Sequence, residues 1–279
     1  MIVRSGEVNS AHGQSPDHQS PGHPILRISL VDFLNARPLT WGLLHDPPPG
    51  VSVSRDLPSV CADKLARGEA DVGLIPSIEY QRIPGIRIVP GLGIAAATEV
   101  RSVLLVSKVS REKIRSVALD PGSRTSAVLT RILLKRVYGL NPAYGEPGEA
   151  DASLIIGDPA LKARLNGQVV LDLAAEWRAF SGHPFVFAFW AVREESASAG
   201  VAAILEDSRR AALAQFDRLV REESVQTGFS EAVVEDYLRH SLHHELDEGD
   251  LAGLSLFYRL AAEEGLIGLP RPLVFTPGS

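Results

Sequence analysis

The succession of apolar and polar residues predicts strands alternating with helices up to about Glu195, and helices alone beyond it. Ile25 to Val31 is an apolar run suited to a strand. Asp32-Phe33-Leu34-Asn35 breaks it, and Pro38 fits the first turn of a helix reaching about Leu44. Val51 to Arg55 alternates as a short strand does. Pro58 to Arg67 reads as a helix, with Cys61 and Leu65 on one face and Gly68 suited to the left-handed position after its end. Asp71 to Ile75 is a buried strand stopped by Pro76, and Ile86 to Val89, Arg101 to Val106 and Ser116 to Leu119 are further strands. Asp120 to Ser126 leads into a helix ending near Tyr138, with Leu129, Ile132, Leu133 and Val137 as its inward stripe. Ala152 to Ile156, Gln168 to Leu171 and the aromatic run Phe185 to Val192 are strands, and Glu176-Trp177 sits on a helical turn. Ala197 to Arg221, Glu231 to His240 and Gly249 to Glu264 read as amphipathic helices with no strand between them. Such alternation implies parallel β/α units and the α/β class.

Met1 to Pro24 lacks an apolar run and is rich in Ser, Gly, Pro, His and Gln, so a disordered extension is expected there. It also lacks the basic start and apolar stretch of a secretory signal, which leads to the expectation of a cytoplasmic protein. The single cysteine, Cys61, excludes an intramolecular disulfide and agrees with a reducing compartment. A length of 279 residues suits one large domain or two medium ones. With no apolar stretch of membrane-spanning length, no membrane partner is expected. The net charge of −6 and the lack of a concentrated basic face exclude nucleic acid as an expected partner, but leave a small anionic ligand open.

Candidate chemistry gathers where strands end. Asp120-Pro121-Gly122-Ser123-Arg124-Thr125-Ser126 places Ser123, Thr125 and Ser126 at a helix N-terminus, where free N–H groups and the helix dipole favour an anion. Plain N-capping by Ser or Thr explains the same residues. Asn35, after the first strand, offers a donor and an acceptor where open α/β sheets bind ligands, although Asn is equally a turn residue. Ser102, in Glu99-Val100-Arg101-Ser102, is placed to face a cleft. Asp158, in Ile155-Ile156-Gly157-Asp158, is a candidate for the site or a helix cap. Pro184 to Trp190 is aromatic core that also suits one wall of a ring-binding pocket. Neither GxxxxGK[ST], GxGxxG nor a G-x-S-x-G elbow is present. His243-His244 are adjacent rather than on one helical face, so no metal site is expected, and no cofactor.

Taken together, the segments Val31 to Pro38, Leu65 to Pro76, Arg101 to Leu105, Leu119 to Ser126, Ala152 to Asp158, Asp172 to Trp177 and Pro184 to Trp190 resemble the chorismate dehydratase family of the futalosine route to menaquinone. The resemblance spans about Ile28 to Arg193, with Phe33 where the family often has tyrosine. It implies a two-lobed, periplasmic-binding-protein-like (type II) α/β fold with the ligand cleft between lobes. One lobe is expected over 25–107 plus 191–279 and the other over 108–190, with crossings near Val106–Val109 and Trp190–Arg193. It also implies a hydro-lyase acting on chorismate, giving 3-[(1-carboxyvinyl)oxy]benzoate. On that basis Asn35 is the expected catalytic residue, and Ser102, Ser123, Thr125, Ser126 and Asp158 the expected substrate-binding ones. Two other readings stay open: the 1,4-dihydroxy-6-naphthoate synthase of the same pathway, for which a histidine in the cleft is expected, and a non-catalytic solute-binding protein for a small carboxylate.

Overall fold

A computed structural model describes residues 25–277. The expected extension at 1–24 lies outside the described residues.

Two mixed sheets form the frame. The first has the order β11-β4-β10-β3-β1-β2 and the second β7-β6-β8-β5-β9. In the first, β1 (Leu26–Val31) lies parallel to β2 (Val51–Asp56) and β3 (Val72–Pro76), with the helices α1 (Arg37–His45) and α2 (Pro58–Arg67) as crossovers. β4 (Ile86–Ala96) belongs to the same sheet but is separated from β3 by one strand. In the second, β6 (Ser116–Ala118) lies parallel to β7 (Ala143–Gly145) and β8 (Ala152–Ile156). Between β6 and β7 comes α3 (Arg124–Arg136). After β8 follow α4 (Gly157–Lys162), β9 (Val169–Asp172) and α5 (Leu173–Ser181).

The strands that change lobes run antiparallel to their neighbours. β5 (Val103–Ser107) pairs antiparallel with β8 and β9, and β10 (Phe185–Arg193) with β3 and β4. The chain therefore passes from the first sheet to the second between Ala96 and Val103 and returns between Asp172 and Phe185. The physical reason is backbone pairing. Val103 to Ser107 and Phe185 to Val192 are buried throughout, so their N–H and C=O groups need ladder partners. Polar Glu99 and His183 suit the unpaired crossings instead.

Differences from the expected elements have local causes. β4 extends seven residues past the expected Val89, because a register shift opposite β10 absorbs Pro90 and Gly91, the latter at φ +73°. The long helix expected over 197–221 breaks at Gln215 into α6 (Ala199–Ala214) and α7 (Phe216–Thr227). A short strand, β11 (His243–Glu245), follows α8 (Glu231–Asp236) and pairs with β4 before α9 (Glu248–Glu263).

Aromatic packing seals the second crossing. The Trp177 ring of α5 meets Phe185 at 5.4 Å and Phe257 of α9 at 6.1 Å, edge to face. At the first crossing the Asp172 carboxylate accepts the N–H groups of Val100, Arg101, Ala174 and Ala175. This holds Arg101 at φ +59°, which no other non-glycine residue among those described adopts. Among the described residues, no helix is long and apolar enough to cross a membrane.

Candidate functional site: a cavity between the lobes

The first lobe presents Asn35 on a tight turn. After β1 the chain makes a 3-10 turn, Leu34–Ala36, and enters α1 at Arg37-Pro38. Arg37 is 2% exposed and paired with Asp32 at 2.5 Å and Glu223 at 2.7 Å. A cation at a helix N-terminus opposes the helix dipole, and these two carboxylates offset that penalty. The Asn35 carbonyl accepts Nε2–H of His244 at 2.8 Å, and the preceding N–H, of Leu34, donates to Asp158 Oδ1 of the other lobe at 3.2 Å. The side-chain oxygen of Asn35 is buried and has no hydrogen-bond partner among the described residues.

The second lobe presents the N-terminus of α3. Gly122 N–H closes onto Asp120 Oδ1 at 2.7 Å, and the helix starts two residues later. Ser123 occupies the cap position, yet its side chain makes no capping hydrogen bond. That decides against plain capping: the N–H groups of the first turn keep no side-chain partner from it and point along the helix axis. Thr125 Oγ1 accepts Ile78 N–H at 3.2 Å and lies 3.4 Å from Ser77 Oγ, which donates to the Val186 carbonyl at 2.8 Å. Arg124 turns outward and bridges to Glu79 and Asp63 of the first lobe, each at 3.0 Å.

Asn35, Ser123, Thr125 and Ser126 line one cavity, walled by apolar groups that include Phe33, Ile94, Ile156 and Phe187. Of the aromatic strand, Phe187 reaches the cavity while Phe185, Phe189 and Trp190 are core. No charged side chain is among the lining residues. The cavity's volume is about 60 Å³. That holds a few waters, whereas sites for ring-sized ligands run to roughly 300 Å³ or more, so the lobes stand closed. Phe33 from one lobe packs on Gly157 from the other, where a Cβ would lie 3.4 Å from the ring.

Two expected residues are not in the cavity. Ser102 is fully buried and accepts the Tyr237 hydroxyl at 2.6 Å, while its carbonyl takes Gly157 N–H at 2.7 Å. It joins the lobes from behind the cavity wall, because burial left its hydroxyl dependent on a protein partner. Asp158 holds Leu34 N–H across the lobes instead of facing the ligand space. Burial raises its pKa, with Leu34 N–H and the charge of Arg37 acting against the shift.

Three contributors were not singled out in the sequence: Ser77, Ile78 and His244. The first two follow the buried strand β3 directly, which is the signal that marked Asn35 and was passed over at Pro76. His244 was weighed only as a metal ligand. Its ring is mostly buried, and that burial, reinforced by His243 and Arg209, pushes its pKa down to about 4. It is therefore neutral near pH 7, and the acceptor it faces places the proton on Nε2. Among the described residues, no group of three or more His, Cys, Asp or Glu is gathered for a metal ion.

Two sheets joined by two crossings, with a donor-lined cavity between them, define a two-lobed protein of the type II periplasmic-binding class. A crystal structure of an Archaeoglobus fulgidus protein aligns with a TM-score of 0.70 at 18% identity, covering 86% of this chain and 98% of that one. The periplasmic aliphatic sulphonate binding protein of Escherichia coli aligns at 0.62 and 19% identity, covering 92% and 95%. At these identities the likeness concerns the fold. The chain belongs to the family described as Menaquinone biosynthesis, whose profile matches residues 26–263. A chorismate dehydratase of Thermus thermophilus is 29% identical over 277 residues, 90% of this chain and 98% of that protein. Another, from Campylobacter jejuni, is 33% identical over 164 residues, 57% of this chain and 63% of the relative.

Proposed function

We propose that the chain is a chorismate dehydratase of menaquinone biosynthesis, a hydro-lyase that converts chorismate to 3-[(1-carboxyvinyl)oxy]benzoate and water. The observation that bears most weight is the meeting of Asn35 and the α3 N-terminus on one cavity lined by uncharged groups. Chorismate carries two carboxylates, a ring hydroxyl and an enolpyruvyl ether. In the elimination the C–O bond of the ring hydroxyl and the C–H bond beside the ether both break, a ring C=C forms, and the hydroxyl and proton leave as water. No oxidant is needed, and aromatisation drives the step.

The residues have distinct tasks on this reading. The N–H groups at the start of α3, with the hydroxyls of Ser123, Thr125 and Ser126, bind a substrate carboxylate through neutral donors at the positive end of a dipole. The Asn35 amide, whose buried oxygen lacks a partner, hydrogen-bonds the departing hydroxyl, a group able both to donate and to accept. Phe33 and Phe187 flank the ring and exclude water, which favours one elimination over loss of the enolpyruvyl group or rearrangement. The lining residues include no acid or histidine, so a carboxylate of the substrate itself takes the proton. The closed volume requires the lobes to part for substrate, breaking Leu34–Asp158 and Thr125–Ile78. A cytoplasmic location belongs to this reading, with the unpaired, buried Cys61 in agreement.

The fold's likeness to a sulphonate-binding protein keeps one competitor in play, a carrier that binds without converting. Incubation of the purified chain with chorismate, followed by chromatography, separates the two. Stoichiometric formation of the benzoate is expected. Binding of chorismate with no product over many hours eliminates the enzyme reading.

A further inference from the structure

The turn that holds Asn35 has a gap in its own hydrogen bonding. In the 3-10 stretch the Phe33 carbonyl accepts Ala36 N–H at 3.1 Å and the Leu34 carbonyl accepts Arg37 N–H. The next bond in that series belongs to the Asn35 carbonyl and the nitrogen of residue 38, which is Pro38 and has no N–H. The backbone oxygen of the one amide-bearing residue in the cavity is thus left open at the junction of two helix types. His244 Nε2–H fills it at 2.8 Å from 209 residues further along the chain.

The ring is well placed for a fixed task. On a strand, successive side chains point to opposite faces. On β11, His243 accordingly turns toward α9, where its Nε2 lies 2.8 Å from Asp250 Oδ1, and His244 turns toward Asn35. Pairing of His243 with Ala95 and of Glu245 with Leu92 locks β11 to β4, whose Ile94 lines the cavity. The Asn35 turn is therefore held twice, by His244 of its own lobe and by Asp158 of the other.

We propose that His244 is the positioning residue for Asn35: its Nε2–H, bonded to the backbone carbonyl that Pro38 leaves unpartnered, aims the Asn35 amide into the cavity. It touches no substrate atom and does not act as the base. This inference rests on the chorismate dehydratase reading for its kinetic readout and on the hydrogen bond alone for its structural one.

The test compares His244→Gln with His244→Met, side chains of similar length of which only Gln donates from the corresponding position. His244→Met is expected to lower kcat by about 10–100-fold with KM within about twofold, as loss of an orienting partner does. His244→Gln is expected to stay within about threefold of wild type, because the donor is kept. In an Asn35→Ala background His244→Met is expected to cost little further kcat, since the two act through one group. A kcat equally low in both His244 variants, or an undiminished effect of His244→Met without the Asn35 amide, overturns the proposal. Should wild type leave chorismate unchanged, the substrate reading fails on its own. The ring nitrogen shifts of His244 then decide: an Nε2–H tautomer held from about pH 7 to about pH 5 supports the bond, and an Nδ1–H tautomer refutes it.

Discussion

Two turns face each other across the cleft, and the same topology makes them unlike. Each follows a strand of a parallel pair and leads into a helix: Asp32 to Ala36 into α1, and Leu119 to Ser123 into α3. At α1 the first helical residue is Arg37, buried between Asp32 and Glu223, so that terminus is occupied by protein charge and the cavity is lined from this turn by the side-chain amide of Asn35. At α3 the first residue is Arg124, whose charge points away to Glu79 and Asp63, so the terminus itself stays open, framed by hydroxyls. One lobe offers a single aimed group and the other a diffuse positive field. On the proposed reading the first acts at the bond that breaks and the second holds a carboxylate that does not change.

That division sets the order of expected effects. Asn35→Ala removes the aimed group and should cost about 10²–10³-fold in kcat, comparable to deleting one preorganised donor, with the thermal midpoint preserved. A variant as active as wild type in the chromatographic assay takes Asn35 out of the reaction.

Asp158 tests the link between the turns. Asp158→Ala leaves Leu34 N–H without its partner and should reduce stability by about 1–3 kcal/mol, whereas Asp158→Asn keeps an acceptor and sheds a buried charge. The sign follows from the raised pKa. The contribution of Asp158 to folding is fully present below the ordinary carboxylate pKa and is lost as pH rises through the raised folded value. Denaturant melts between about pH 3 and pH 7 should therefore show a slope in wild type that Asp158→Asn flattens. Identical slopes in the two proteins dismiss a buried, ionised Asp158.

The smallest effect belongs to the diffuse side. Ser126→Ala should raise KM by up to about tenfold and leave kcat nearly unchanged, as expected when a contact is equal in ground and transition states. A fall in kcat with constant KM instead places Ser126 at the reacting bond and erases the contrast between the turns.

The residues whose place around the cavity could be read ahead of the structure were those positioned by local chain features. Asn35, Ser123, Thr125 and Ser126 stand where a strand run ends and a helix begins; periodicity marks such places, and the resemblance to the family singles out Asn35 among them. Ser102 and Asp158 stand at similar places, but what they face is decided by Tyr237, 135 residues away, and by Leu34, 124 residues away. His244 was hidden for the same reason, compounded by a helical reading that left no strand between Glu231 and Glu264. Apolar runs disclose burial without disclosing which sheet supplies the ladder, so the passages between sheets are read from strand pairing. The class of fold escaped this limit, since it depends on the order of elements and not on their partners.

Gly157, at φ +64°, has the Phe33 ring 3.4 Å from the point its missing side chain would occupy. That separation is an ordinary contact, so what glycine supplies at 157 is the left-handed backbone from which α4 starts beneath a ring of the other lobe. A larger residue there would have to bear both that backbone and the neighbouring ring, so a single position ties the start of one lobe's helix to an aromatic face of the other.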